Sequence, residues 1–235
     1  MINKSIILCS YNEVEHINIA IEDIRKNILN AEIILVDDNS NDGTANKLSE
    51  INPSDDLKII TRKRIKGLAS AFTRGLIETR GEYIGWIDIN MTYLTLKFTE
   101  MEKMLNDGSD IVILSRYISD GQDKRTFLRS LSSKYLNIFC KFIFRSRITD
   151  FTTGIFLMKR SLLNDVSVAG YGHGDFFIEF LYNIEKKGFK VSEVPYIQEE
   201  DLGASNSKTA PNTITFIHHG IKYIIRIIKT LITKN

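Results

Sequence analysis

The chain has 235 residues, of which 43% are hydrophobic and 26% charged, and its 31 Lys and Arg nearly balance 29 Asp and Glu. This composition predicts one substantial core and excludes fibrous and disordered chains, while a formal charge of +2 argues against a dedicated nucleic-acid binder. Cys9 and Cys140 form no CxxC pattern, so we expect no disulfide framework or zinc site, and a reducing cytoplasm fits best. We also expect no signal peptide and no membrane-spanning run.

Short apolar runs alternate with amphipathic segments through the first 120 residues, which predicts an α/β fold with a mostly parallel sheet flanked by helices. The predicted strands are Ser5–Cys9, Glu32–Val36, Leu57–Thr61, Tyr83–Ile89 and Ile111–Leu114. The predicted helices are Val14–Ile28, Thr44–Ile51, Leu68–Thr79 and Leu96–Asn106. Polar residues follow several of these strands, at the sheet edge where open α/β folds bind ligands.

The second half is less regular and more basic. We predict a strand near Ile155–Met158, a helix near Phe176–Lys187 and a strand at Val191–Val194. Two amphipathic stretches, Lys124–Arg147 and Ile214–Ile232, carry cations and no acid. Such helices suit an anionic membrane interface, although their apolar faces could instead pack on the sheet or in a dimer.

The first polar group, Ser10 to Glu13, lies in the turn after the first strand. An aromatic ring beside a carboxylate could hold a nucleobase and ribose, with Tyr11 and Glu13 as the contacts. The alternative is a turn whose Glu favours a helix N-terminus, and this motif alone is more typical of that alternative.

The second group is Asp37-Asp38, followed by Asn39, Ser40, Asp42 and Gly43. Adjacent carboxylates repel each other unless they are hydrogen-bonded, solvated or matched to a cation or ligand. The alternative is an Asx-rich loop that caps the helix at Thr44.

Two further groups occur before residue 91. Gly67 opens the third helix, where the backbone could approach an anionic ligand, although helix packing is a sufficient reason for glycine. Asp88 and Asn90 follow the fourth strand and could share a hard cation that bridges a diphosphate, unless they only form an Asx turn.

These four groups, in this order, make the chain resemble an inverting glycosyltransferase of family 2 with the GT-A fold, and more narrowly the dolichol-phosphate mannosyltransferase and polyprenyl-phosphate sugar transferase branch. The resemblance spans roughly residues 5 to 208. Further matching residues are Gly81-Glu82-Tyr83, Ser115-Arg116-Tyr117, Gly121, Arg129, Ser133, Asn137, Asp150-Phe151-Thr152-Thr153-Gly154, Phe156, Lys159-Arg160, Glu179 and Glu193-Val194-Pro195.

The resemblance implies a role for each matched position. It makes Asp88 and Arg116 catalytic, directs Asp88 and Asn90 to Mg²⁺ or Mn²⁺, and makes Glu179 and Lys208 candidates for a base or an acceptor contact. It assigns nucleotide-sugar binding to Ser10, Tyr11, Glu13, Val36, Asp38, Gly67, Asp88, Ile89, Asn90 and Arg116.

The chain departs from the family pattern at three places. Asn90 replaces the second metal-facing Asp, and Ser10 replaces a proline. Acids at Glu199–Asp201 stand where a phosphate-binding Arg is usual, before Gly203 and Lys208.

The implied organisation is a glycosyltransferase domain over residues 1–208 and a C-terminal amphipathic helix over 209–235, with the chain peripheral at the cytoplasmic face of a membrane. The implied reaction moves a sugar from a GDP- or UDP-linked donor to a polyprenyl phosphate. The alternatives are a family 2 transferase that extends a saccharide chain, with Glu179 or Asp175 as base, and a non-catalytic nucleotide-binding relative. A homo-oligomer or a membrane subunit is a further expected partner.

Overall fold

The computed structural model describes residues 2–52, 54–64, 66–199 and 213–232. The strands are β1 Lys4–Ser10, β2 Ala31–Asp37, β3 Leu57–Thr61, β4 Tyr83–Trp86, β5 Ile111–Ser115, β6 Gln122–Asp123, β7 Phe156–Lys159, β8 Val191–Pro195 and β9 Ile197–Gln198. The α-helices are α1 Ile17–Asn27, α2 Thr44–Glu50, α3 Leu68–Glu78, α4 Phe98–Asn106, α5 Phe127–Phe144, α6 Asp175–Lys186 and α7 Thr213–Ile232. Two 3₁₀ helices span Ile89–Lys97 and Arg160–Asn164.

Seven strands form one sheet in the order β3-β2-β1-β4-β7-β5-β8. Every neighbouring pair is parallel except the two pairs made by β7, which runs antiparallel to β4 and β5. The predicted mostly parallel sheet is therefore confirmed. A separate two-stranded ribbon, β6 with β9, was not predicted.

The core fills both faces of this sheet, because successive side chains of a strand point to opposite sides. On one face, Ile6 and Leu8 join a buried cluster with α1 and α4. On the other, Ile7 joins a cluster that includes Phe72 of α3 and Phe176 of α6. A sheet buried on both faces explains the near-continuous apolar strands of the first half.

The fourth strand is shorter than predicted. It ends at Trp86, and a 3₁₀ helix begins at Ile89. The apolar run from Tyr83 continues through Ile87 and Ile89, both buried in the core, so hydrophobicity alone could not locate the end of the strand. Asp88 therefore lies at a strand-to-helix junction.

The two basic stretches are helical, as predicted. Within the described residues, no helix is both long and apolar enough to cross a membrane. Both α5 and α7 leave large apolar side chains exposed. On α5 these are Phe127, Leu128, Tyr135, Ile138, Phe139 and Phe142, and on α7 they are Ile221, Ile224, Ile225, Ile228, Leu231 and Ile232.

Candidate functional site

The turn after β1 is held by the loop after β2. The backbone N–H groups of Asn12 and Glu13 donate to the hydroxyls of Ser40 (2.8 Å) and Thr44 (3.0 Å). Tyr11 is half-exposed above this turn, and the buried Oγ of Ser10 has no hydrogen-bond partner in the described structure. The turn thus holds a half-exposed ring above a buried, unsatisfied hydroxyl at the carboxyl edge of the sheet.

The two adjacent acids after β2 have different partners. Asp37 accepts hydrogen bonds from the backbone N–H (3.0 Å) and hydroxyl (2.5 Å) of Ser40, so it shapes the loop. Asp38 accepts from Nε of Arg62 and from the backbone N–H of Gly67, both at 2.7 Å. Each acid therefore matches one of the two explanations. Asp37 shapes the loop after β2, as in the structural explanation, and Asp38 faces the loop that precedes α3, where a ligand could bind.

Two cations beside this site were missed in the sequence. Arg62 follows β3 directly and also donates to the hydroxyl of Ser70 at 2.9 Å. Lys66 places its Nζ 4.9 Å from the ring centroid of Tyr11. Arg62 could have been found by the rule that selected the acids, since it is the first polar side chain after a strand at the same edge.

Gly67 supplies the backbone geometry of that loop. Its φ is +125°, a conformation that side-chain-bearing residues rarely adopt, and this directs its N–H to Asp38. The N-terminus of α3 is thereby fixed beside the acid expected to bind the nucleotide.

Asp88 lies next to the β1 turn, because β4 pairs with β1 and Ile7 stands opposite Trp86. Burial, and then the negative charge of Glu13, raise the pKa of Asp88 to about 6. Burial and the charges of Asp88 and Asp38 also raise the pKa of the Cys9 thiol. Three acids from different loops thus converge at the end of β1.

This convergence bears on metal binding. A divalent cation would relieve the repulsion between Asp88 and Glu13, and the oxygens of Asp88 and Asn90 are of the type that Mg²⁺ or Mn²⁺ prefers. Across the described residues, no group of three or more His, Cys, Asp or Glu side chains could hold a metal ion. The residues fit a site that substrate phosphates and water complete, which is common for Mg²⁺.

Two predicted nucleotide contacts have side chains that face the core. Val36 is fully buried against α3, where a Cβ on Gly75 would be 3.2 Å from it. Ile89 is 4% exposed and belongs to the cluster on the α1 face. Neither side chain lies on the open surface of the site.

Arg116 is engaged by acids of its own chain. Its Nε and Nη2 donate to the two carboxylate oxygens of Asp150 at 2.8 and 2.7 Å, and its Nη1 lies 3.5 Å from Asp123. Only 2% of its side chain is exposed. In this structure the guanidinium therefore braces the β5 end of the sheet.

Glu179 is also paired. It accepts a hydrogen bond from Nη1 of Arg226 at 2.7 Å, and the neighbouring Asp175 accepts from Nε of the same residue at 2.9 Å. Both acids proposed as a general base thus share one guanidinium.

The acidic segment that departs from the family pattern begins with an ion pair. Glu199 accepts from Nζ of Lys124 at 3.0 Å, so this carboxylate is directed at the β6 ribbon. Glu200, Asp201 and Lys208 lie outside the described residues.

Comparisons with known proteins identify the family and the fold. The family described as "Glycosyl transferase family 2" matches residues 5–167. The chain is 31% identical over 197 residues to a dolichol-phosphate mannosyltransferase of Pyrococcus furiosus, covering 82% of this chain and 55% of that protein. It is 25% identical over 210 residues to a polyprenol monophosphomannose synthase of Mycolicibacterium smegmatis, covering 85% of this chain and 79% of that protein. The chain thus spans little more than half the length of the Pyrococcus relative.

Solved structures share the fold. A glucosyl-3-phosphoglycerate synthase of Mycobacterium tuberculosis in complex with Mn²⁺, UDP and phosphoglyceric acid superposes with a TM-score of 0.71 at 14% identity, covering 99% of this chain and 80% of that one. A mannosyltransferase of Pyrobaculum calidifontis in complex with GDP-Man and Mn²⁺ gives 0.67 at 16% identity, covering 99% and 65%. These neighbours confirm the expected fold. The chain belongs to glycosyl transferase family 2 and has the GT-A fold.

Proposed function

We propose that this protein transfers a sugar from a GDP- or UDP-linked donor to a polyprenyl phosphate at a membrane surface, with inversion at the anomeric carbon. The observation that carries the proposal is the convergence of the β1 turn, Asp38 and Asp88 at one sheet edge in a family 2 chain. The names of the two relatives support the acceptor class. The proposed catalytic domain is 1–208, with 209–235 as a C-terminal membrane-associated segment.

The donor would lie along the carboxyl edge of the sheet. Tyr11 would stack on the base, and the Ser10 hydroxyl would donate a hydrogen bond to the base or ribose. Asp38 would accept one, and Gly67 would line the approach through its backbone. Which base and which sugar are preferred depends on contacts that form only when the donor binds.

Asp88 and Asn90 would hold Mg²⁺ or Mn²⁺ at the diphosphate. When bound, the cation would neutralise the charge that develops on the departing diphosphate. Asn90 contributes a neutral oxygen where an Asp would contribute a charge, so this chain holds the ion more weakly than a site with two carboxylates.

A lipid-phosphate acceptor would need no general base, which agrees with the pairing of both candidate acids of α6 to Arg226. A phosphate monoester has a second pKa near 6 and is largely ionised at neutral pH, so it needs no deprotonation to act as nucleophile. A saccharide hydroxyl would need a base, and Asp175 and Glu179 are both bonded to Arg226. The protein's task is then to align acceptor and donor.

The exposed apolar side chains of α5 suggest where the lipid is met. Phe127 and Phe142 are 80% and 79% exposed, and the segment from Lys124 to Arg147 contains seven cations and no acid. Such a face complements an anionic bilayer. We propose a peripheral location at the cytoplasmic face, alone, as a homo-oligomer or with a membrane subunit.

The test is a transfer assay with purified protein, a short-chain polyprenyl phosphate and either GDP-mannose or UDP-glucose, each with Mg²⁺ or Mn²⁺. We expect one donor to yield polyprenyl-phosphate sugar with the inverted anomeric configuration, and Asp88→Ala to abolish it. The matched control is Asp56→Ala, which removes an acid paired with Arg25 before the first residue of β3, at the end of the strand away from the site. Transfer to an oligosaccharide, with none to the lipid phosphate, would reject the proposed acceptor.

A further inference from the structure

Helix α7 has two unlike faces. Tyr223, Arg226, Ile227 and Thr230 recur at helical spacing, and the last three are at most 5% exposed. Ile221, Ile224, Ile225 and Ile228 are 40% to 54% exposed. The helix therefore docks on the protein through one face that includes a buried cation.

That cation, Arg226, is held by three separate groups. Its Nε and Nη1 donate to Asp175 and Glu179 of α6, and its Nη2 donates to the carbonyl of Tyr171 at 2.7 Å. The guanidinium also lies 4.2 Å from the ring centroid of Tyr171. One side chain of α7 thus ties the start of α6 to the loop that precedes it.

The loop, residues 171–174, is shaped to receive α7. A Cβ at Gly172 would be 2.6 Å from Nη2 of Arg226, and its φ of +107° disfavours any other residue. A Cβ at Gly174 would overlap the hydroxyl of Tyr223. Both glycines are therefore needed for the docked position of the helix.

The same loop reaches the donor site on its other side. The carbonyl of Gly172 accepts from the backbone N–H of Ala69 at 3.4 Å, in the first turn of α3. That turn follows Gly67, which donates to Asp38. The loop thus connects α7 to the helix that borders the donor site.

We infer that Arg226 is a positioning residue, which holds the 171–174 loop against α3 and makes that wall of the site depend on the docking of α7. The effect on sugar transfer rests on the proposed function, but the effect on hydrogen exchange can be measured independently of that function. Because the outer face of α7 is apolar, docking and membrane contact can occur together.

The test compares Arg226→Met and Arg226→Lys in the full chain. The backbone N–H of His173 donates to Asp175 at 2.7 Å. We expect Arg226→Met to accelerate hydrogen exchange at the amides of His173 and Ala69 about tenfold or more, and to weaken nucleotide binding about tenfold, because α3 borders the donor site. The value of kcat/KM for the sugar-nucleotide donor should fall about tenfold or more. Arg226→Lys should lie between, since an ammonium lacks the planar fork that serves three acceptors.

The matched control is Arg74→Met, which breaks a partly exposed Arg–Glu pair on α3 and should leave exchange at both amides unchanged. A triple variant, Arg226→Met with Asp175→Asn and Glu179→Gln, separates positioning from charge neutralisation. Recovery of slow exchange and transfer in the triple variant would overturn the inference, as would unchanged exchange in Arg226→Met. If the wild type transfers no sugar to a lipid phosphate, the proposed function fails while the exchange data still decide the role of Arg226.

Discussion

Arg62 donates its Nε–H to the carboxylate of Asp38 at 2.7 Å, and this ion pair spans the mouth of the site between the ends of β2 and β3. Only 10% and 8% of the two side chains are exposed. The acid expected to bind the nucleotide is therefore fixed in place by its own chain, so its orientation costs little when the donor arrives.

Replacing this acid should weaken both the fold and the site. We expect Asp38→Asn to lower the free energy of unfolding by about 1–3 kcal/mol, because Arg62 and Gly67 lose a charged acceptor. Nucleotide affinity should fall about tenfold or more, which corresponds to about 1.4 kcal/mol. Thermal unfolding and titration calorimetry measure the two effects.

The control is Asp56→Asn, which disrupts an ion pair with Arg25 in which 37% and 43% of the side chains are exposed. An exposed pair contributes about 0–1 kcal/mol, and nucleotide affinity should not change. Equal nucleotide affinity in Asp38→Asn and the wild type would remove Asp38 from the donor site.

The buried pair of Arg116 and Asp150 predicts a stability effect at a position to which the family resemblance gives a catalytic role. Arg116→Met would leave Asp150 without its bidentate partner, and losing one member of a buried pair costs about 3–5 kcal/mol. Urea unfolding should show this loss. A loss of transfer with less than about 1 kcal/mol of destabilisation would instead place Arg116 in contact with the substrate.

The exposed face of α5 predicts membrane binding. Phe127→Ser with Phe142→Ser should reduce binding to phosphatidylglycerol vesicles about a hundredfold or more, since each of the two buried rings contributes about 1.5–3 kcal/mol. The unfolding midpoint should stay constant. Ile77→Ser, which removes an equally exposed apolar side chain from α3, is the control. Unchanged vesicle binding in the double Phe variant would exclude α5 as the lipid-facing surface.

The ionisation of Glu32, which lies outside the candidate site, should make the free energy of unfolding depend on pH. Burial would raise its pKa, but hydrogen bonds from Ser5 and Arg80 outweigh burial, so the pKa lies below the usual value. The folded state thus binds this proton less readily than the unfolded chain, and the stabilisation is present at neutral pH and lost as pH falls below about 4.3. Glu32→Gln should be less stable at pH 7 and should flatten the stability curve at acidic pH. Glu50→Gln, an exposed change, should reproduce the wild-type curve. An unchanged slope in Glu32→Gln would contradict the assignment.

The sequence predicted the parts of the site that depend on strand order. Ser10 ends β1, and Asp38 and Asp88 follow β2 and β4, so all three lie at the same edge of the sheet because of its topology. The end of β4 could not be predicted, because Ile87 and Ile89 continue the apolar run into the 3₁₀ helix.

The ion pairs that Arg226 and Arg116 form with distant residues could not be predicted from the sequence, for a different reason. Arg226 is 51 residues from Asp175, and nothing in the helical period of α7 distinguishes a cation that faces the protein from one that faces a membrane. Arg116 matched a family position, yet its contacts with Asp150 depend on how the segment before β7 folds back. Such contacts are decided by tertiary packing.

The most direct test of the central claim is a calorimetric titration of the wild type and Asp88→Asn with GDP and UDP, each with and without Mn²⁺. We expect the wild type to bind one of the two nucleotides more tightly with Mn²⁺, and Asp88→Asn to lose that metal-dependent gain. Folded wild-type protein that binds neither nucleotide with or without Mn²⁺ would contradict a donor site at this edge of the sheet.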